Sequence, residues 1–544
     1  MKTLKDPTGI RNEFTAGQEY KESISLFSTY EQNEDFYIGN QWRGVDADDL
    51  DKPVMNILRR VVSMQTAKVV SSDWGWQFTF FENSKENDAI AQMLSDQVDH
   101  VVERIGLKAK SRMAYRNECV DGDACVYFDF DADAPSGMNV PGMITAELVE
   151  NINVYFGNKY DRDVQSQPWI ILHQRRFLES VRDEARANGI SETEVLSIAP
   201  DYDSHQMESG SSDQVSVLTK LWKEDGTVHA IRIVKDVVIR EEWDTGLKRY
   251  PISWTSWELI KGSYHGQAML TGLIPNQIAL NKAWAGIIWQ ILKTGFSQPV
   301  IDGNRIKEWD GTPGTVIKTS GGVGSVRDAI MYLEAAPIPM SVINAMDSLI
   351  VTTRDCMGAS DATMGNVNPD NASAIIALQQ ADEQPLELRK LSYNDFVEDM
   401  ILNILDLMRA RYGKRKVMML KPDDNEQMNT QQELTEFDFS TLDDMPMNLT
   451  VDIGASSLYS EQMQVQTISN MFSSGILDDP AKLALFLTAM PSKLIPSRQT
   501  FMTYAKSLLE QALNQQPEQP AETEFNPETP QPVPQVENTE TAQP

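Results

Sequence analysis

The chain has 544 residues, 41% apolar and 23% charged, enough for roughly three to five domains with several buried cores. Its formal net charge is −31, from 48 basic and 79 acidic residues. That excess argues against general nucleic-acid binding, whose affinity comes from Lys and Arg neutralising phosphates, and against coating anionic membranes. The most apolar long stretch, Leu273 to Leu292, is interrupted by Asn276, Gln277, Asn281 and Lys282, so no segment reads as a membrane span. The polar start, Met1-Lys-Thr-Leu-Lys-Asp6, has no apolar signal region. Three cysteines cannot build a disulfide framework, which fits a reducing cytoplasm.

The first third reads as helical. Leu26, Phe27, Tyr30, Phe36 and Tyr37 predict a helix over about 14–37 that ends at Gly39. Further helices are expected over about 55–70, 86–105 (ended by Gly106) and 107–119. The period then changes: Ala124 to Phe130 alternates and is rich in β-formers, and strands follow at about 143–149, 152–157 and 168–176. A short helix is expected at about 177–188 and a loop rich in Asp, Ser and Gly at 199–213. Asp225-Gly226 between two alternating runs predicts a tight hairpin.

Residues 264–296 return to helical spacing through Ile274, Ile278, Trp284, Ile287, Ile288 and Ile291, with Gln277, Asn281, Lys282, Gln290 and Lys293 on the other face. A helix of about 25–30 residues spans roughly 40 Å. A compact insert with three short strands (298–301, 314–318, 330–333) precedes another helix over about 340–357. The segment 358–371, dominated by Gly, Asn, Asp and Pro, reads as a flexible loop. A very long helix follows over about 372–412, with Pro385 as an expected kink, Gly413 as its stop and Lys414-Arg-Lys416 suited to its C-terminus. Residues 421–446 read as an acidic loop, 448–453 as a strand, and 459–474, 479–489 and 497–514 as helices. The last 30 residues, proline-rich and without a basic residue, read as a solvated disordered tail. The fold class is α+β, mainly helical.

Motifs for catalysis are missing. There is no phosphate loop, dinucleotide-binding glycine pattern, zincin motif or nucleophile elbow. Ser320-Gly-Gly-Val-Gly-Ser325 reads as a turn, and the five histidines are dispersed. Cys119 and Cys125 have no second pair to complete a zinc site and read as small buried residues. Asp121, Asp123, Asp129, Asp131 and Asp133 lack the glycine and closing Glu of an EF-hand, and read as the solvated end of a strand with its turn. These absences leave no catalytic, cofactor-binding or metal-binding residue to assign.

The order of parts, with several local strings, resembles the portal proteins (head–tail connectors) of tailed bacteriophages. The strings are Phe36-Tyr-Ile-Gly-Asn-Gln-Trp42, Glu118-Cys-Val-Asp-Gly-Asp-Ala-Cys-Val-Tyr127, Pro251-Ile-Ser-Trp254, Tyr264-His-Gly-Gln-Ala268, Pro275-Asn-Gln277 and Asn281-Lys282. Together they cover about residues 20–510. The resemblance implies a non-enzymatic ring, typically a dodecamer, at one capsid vertex of the virion, assembled in the host bacterial cytoplasm. It implies a wing over 1–263, stem helices over 264–296 and 338–358, a clip at 297–337 and a tunnel loop at 359–371. A long kinked helix with a strand returning to the wing would occupy 372–454, crown helices 455–514 and the tail 515–544. Double-stranded DNA would pass through the central channel, and the implied partners are the terminase large subunit, a head–tail adaptor, and capsid and scaffold proteins. Lys282 and Lys293 on the stem, and Asp361, Met364, Asn366 and Asn368 in the loop, are the channel candidates. Arg305, Lys307, Glu308, Lys318 and Arg327 are the clip candidates for motor or adaptor contact. Two other classes remain open here: another virion structural or scaffold protein, and a metal-dependent nuclease or hydrolase built on the acids between Asp121 and Asp133.

Overall fold

The computed structural model describes residues 6–46, 50–70, 74–81, 84–135, 140–201, 213–295, 297–308, 318–320, 325–333, 337–356, 372–420, 432–445 and 447–452. The chain divides into a unit of residues 1–453 and a second of residues 454–544. The second lies outside the described residues, and with it the expected helices from 459 to 514 and the expected tail. So do 202–212, 309–317, the loop 358–371 and most of the expected acidic loop up to 431.

Helices α1 (Pro7–Ser23) and α2 (Leu26–Ile38) replace the single helix expected at 14–37. The break falls at Ser25, whose φ of 56° and ψ of 30° are left-handed and reverse the chain. α3 (Ile57–Val70), α4 (Lys85–Arg104) and α5 (Leu107–Asp121) lie close to their expected bounds, with strand β1 (Gly75–Phe80) between α3 and α4. Ser84 caps α4 by accepting a hydrogen bond from the Asn87 amide. α5 ends at Gly122, which has a φ of 96° and lies so close to the Gly266–Ala268 backbone that a Cβ would sit 2.9 Å from the Gly266 carbonyl oxygen.

Beyond it, β2 (Asp123–Asp131) pairs antiparallel with β3 (Met143–Val149) on one side and β9 (Ile252–Ser256) on the other. A five-stranded antiparallel sheet follows in the order β4 (Val154–Phe156), β5 (Trp169–Phe177), β6 (Gln214–Glu224), β7 (Thr227–Val234), β8 (Val237–Asp244). The β6–β7 turn is the predicted Asp225-Gly226, both with positive φ (52° and 89°) as a two-residue hairpin requires. Helix α6 (Leu178–Ala187) covers this sheet together with the short α7 (Glu192–Ser197), an element not expected from the sequence.

The helix expected over 264–296 is α8 (Ile274–Thr294). Residues 264–273 instead form turns that tie into the largest core through buried Tyr264, Met269 and Leu270. Strands β10 (Gln298–Ile301) and β11 (Ile330–Leu333) pair in the insert, and α9 (Met340–Asp355) follows. α10 (Ala372–Arg411) continues through Pro385. Its residues Tyr393, Phe396, Val397, Met400, Ile401, Ile404, Leu407 and Met408, at three- and four-residue steps, enter the largest core with α3, α4, α5 and β2.

Two readings of the C-terminal part are corrected. Lys414 to Lys416 do not decorate a helix end; they open β12 (Lys414–Leu420), which pairs with β13 (Gln432–Asp438) inside the segment expected to be loop. β14 (Met447–Asp452) is the late strand, and it pairs antiparallel with β1 in a six-residue clasp. The architecture is mixed α and β, with helix the more abundant.

Candidate functional site

The first stem candidate, α8, starts on Pro275 in its first turn, where the missing N–H costs nothing. The sequence reading put Gln277 and Asn281 on an outer polar face. Both are buried instead, at 2% and 3% exposure. The Gln277 amide donates to the Met55 carbonyl at 2.7 Å and to the Asn281 side-chain oxygen at 2.9 Å. The Ile57 backbone N–H donates back to Gln277 Oε1 at 3.2 Å, and Asn281 Nδ2 donates to Gln41 Oε1 at 2.5 Å. These five residues from three parts of the chain form one buried network that fixes the base of the helix. Leu280 and Ile287 pack on Met346 of α9, with Leu349 and Ile350 beside them. Asn276 Nδ2 donates to Thr353 Oγ1 at 3.2 Å, a second tie between the two rods.

The distal half of α8 is uncovered. Trp284, Trp289, Ile291 and Leu292 are 36%, 46%, 39% and 61% exposed. Lys282, Gly286, Trp289 and Lys293 step by four, three and four and form one exposed stripe. Its two lysines are separated by about 16 Å of helix rise. In the insert, Ile306 and Ala329 are buried, while Val300, Ile301, Met331, Tyr332 and Leu333 stay exposed. Among the described residues this strand pair leaves much of its apolar surface uncovered.

The clip candidates fall as follows. Arg305 is half-buried and donates to the Ser325 carbonyl at 3.3 Å, so it braces the insert. Lys307, Glu308 and Lys318 are exposed. Arg327 lies in the 3-10 turn Val326–Ala329, and its side chain is outside the described residues, as are Asp361, Met364, Asn366 and Asn368.

The acids read as one solvated cluster divide in two. Asp129, Asp131 and Asp133 do lie at the strand end and its turn, but Asp121 and Asp123 are buried at 6% and 1% exposure. Asp123 accepts from the Ser256 hydroxyl at 2.6 Å and the Gly266 amide at 2.7 Å, and pairs with His265 Nδ1 at 2.8 Å. It therefore fastens the turn before α8 to the β2–β9 sheet. Burial pushes the His265 imidazole below its ordinary pKa despite Asp123, and pushes the Asp121 carboxyl up. Burial also pushes Glu118, 3% exposed, up to about 8, against the opposing pull of Arg389. Lys21 is fully buried and lowered by that burial; its ammonium donates to the carbonyls of Asn151, Ile152 and Val154 at 2.7–2.8 Å. Cys119 and Cys125 are buried and free, as expected. Asp123, His265 and Lys21 are thus held in internal contacts between elements of the fold.

The family model of the phage P22-like portal protein matches residues 71–543. The chain belongs to the P22-like phage portal protein family. No curated protein matches it. As a portal protein it is a structural, non-enzymatic component of the bacteriophage virion capsid, an oligomeric ring that interacts with the capsid and the packaging machinery. Neither the nuclease nor the scaffold reading gains support. Among the described residues no helix is long and apolar enough to cross a membrane.

Proposed function

We propose that α8 and α9 are the stem of the portal ring, with the β10–β11 insert as its clip, residues 1–263 as its wing and 372–454 as the long helix and return strand. The observation that carries this is the uncovered apolar surface of distal α8 and the insert, beside a polar network that fixes the base of the same helix. Repeating one heterologous contact by rotation closes a ring and covers such surface without leaving an edge. Trp284, Ile291 and Leu292 meet the neighbouring copy, and the Lys282–Lys293 stripe faces the channel.

Two cations per subunit in a chain of net charge −31 keep the hold on passing double-stranded DNA weak, because every phosphate contact adds affinity. The loop 359–371 is the tunnel loop, and Asp361, Met364, Asn366 and Asn368 offer DNA no fixed positive charge. Residues 455–514 form the crown and 515–544 the tail. The ring has twelve copies. It is assembled in the host cytoplasm with scaffold protein, and its clip receives the terminase large subunit and afterwards the head–tail adaptor, through Arg305, Lys307, Glu308, Lys318 and Arg327.

Native mass measurement and negative-stain imaging of the purified protein test this. The expected result is a ring with an axial hole, lost in the Trp284→Glu/Leu292→Glu variant while its far-ultraviolet circular dichroism is kept. A spherical shell, a filament or a persistent monomer from the unmodified chain defeats the proposal.

A further inference from the structure

The five-stranded sheet carries a set of side chains that the ring does not use. Glu224 ends β6, His229 lies on β7 and Glu242 on β8. His229 stands opposite Trp222 on one neighbour and Asp244 on the other, so two-residue alternation puts Glu224, His229 and Glu242 on one face of the sheet. All three are half-buried, and one ligand atom from each lies within 4.8 Å of the others.

The contacts of the imidazole suit a proton on Nε2. It stacks on Trp222 with ring centroids 5.9 Å apart, and its Nε2 lies 3.4 Å from Thr227 Oγ1. Thr227 Oγ1 in turn donates to the Glu224 carbonyl at 3.4 Å, which leaves the hydroxyl oxygen to accept from an Nε2 proton. That tautomer presents a lone pair at Nδ1. Nδ1 is closed to solvent and makes no hydrogen bond, yet Glu242 Oε1 is 3.1 Å away. A lone pair facing a carboxylate oxygen is repulsive unless a cation stands between them. Across that gap, two metal–ligand bonds of about 2.0–2.2 Å meet at roughly 90–100°, an angle open to a four- or five-coordinate ion. The Trp222 indole N–H donates to Glu224 Oε2 at 3.2 Å and orients the third ligand. Outer hydrogen bonds that fix the tautomer of a ligating histidine and the pose of its carboxylates are the usual support of a metal site.

We propose that Glu224, His229 and Glu242 bind one first-row divalent cation, a zinc-type ion held by one nitrogen and two carboxylates with an open position for water. The site joins three adjacent strands at the β6–β7 hairpin end of the wing sheet. It lies outside α8, α9 and the insert, so its failure leaves the ring reading untouched.

The test uses the full-length assembled protein, stripped with chelator and titrated with Zn²⁺ by calorimetry, with Co²⁺ as a spectroscopic probe. The unmodified chain is expected to bind one equivalent per subunit that His229→Ala weakens by more than tenfold. The conservative Glu242→Gln, which keeps the side chain's shape, is expected to do the same, and it decides the matter if His229→Ala fails to fold. His100→Ala, at an exposed position on α4, is expected to bind as the unmodified chain does. Bound Co²⁺ is expected to show visible absorption of a four- or five-coordinate centre that Glu242→Gln loses. Absence of Zn²⁺ binding by the unmodified chain, or an unchanged stoichiometry and affinity in Glu242→Gln, overturns the proposal and leaves a His229–Glu242 ion pair.

Discussion

Replacing Asn281 by Ala removes the donor to Gln41 Oε1 and the acceptor of the Gln277 amide and, at 3.4 Å, of the Met55 N–H, without adding bulk. Gln277 keeps its bond to the Met55 carbonyl, so the main casualty is Gln41 Oε1, in a side chain 8% exposed. Stranding one or two buried polar groups costs about 1–3 kcal/mol each, giving an expected loss of about 2–4 kcal/mol. The loss is local, because the network joins only the base of α8 to residues 41 and 55–57. Hydrogen exchange on the assembled protein reads it directly. Amides in the first turns of α8 and around Met55 are expected to lose between roughly 30- and 700-fold of protection, at tenfold per 1.4 kcal/mol. Those of the five-stranded sheet are expected to stay unchanged. Gln41→Ala should lose less on top of Asn281→Ala than alone, with a coupling of about 1 kcal/mol or more. Protection in α8 within threefold of the unmodified chain, or a loss spread evenly over the protein, refutes the idea that this network sets the base of the rod.

Three further outcomes are expected. Gly122→Ala sets a Cβ 2.9 Å from the Gly266 carbonyl oxygen at a φ of 96°, and should destabilise by about 2–4 kcal/mol, read as a lower thermal midpoint. Glu118 is protonated in the fold up to about pH 8 but ionises near 4.5 when unfolded. Its contribution to stability is therefore complete below about 4.5 and lost as pH rises through about 8, and Glu118→Gln should flatten this part of the profile; identical pH slopes for the two proteins across that window would count against it. Deleting 359–371 should leave ring assembly intact in electron micrographs and impair DNA packaging or retention; a deletion that abolishes the ring removes the tunnel-loop assignment.

Local signals carried much of the reading. Alternation located β2 to within a residue at each end, and Asp225-Gly226 located its hairpin, because both patterns act over a few neighbouring positions. The portal resemblance also rested on order along the chain. What escaped is what distant partners decide. Gln277 and Asn281 look like a solvated face until residues 41 and 55–57 arrive to bond them. Nothing local to Lys21 announces its burial; three carbonyls after β3 satisfy its ammonium in the interior. Lys414 to Lys416 suit a helix C-terminus as well as a strand, and only pairing with 436–438 selects the strand. Trp284 gives the opposite lesson: it keeps helical spacing with the buried Ile274 and Ile287, yet a single chain leaves it partly uncovered.

The clasp between β1 and β14 also sets a timetable for synthesis. Thr79 and Asn448 are partners 369 positions apart, so β1 emerges from the ribosome long before its neighbour exists. At about 5–20 residues per second the wait is roughly 20–70 s. During it the sticky half of α8 has already been made, while the edge of β1 stands open. On the stem proposed above, a nascent subunit thus exposes its ring-forming surface before β1 has found its partner strand.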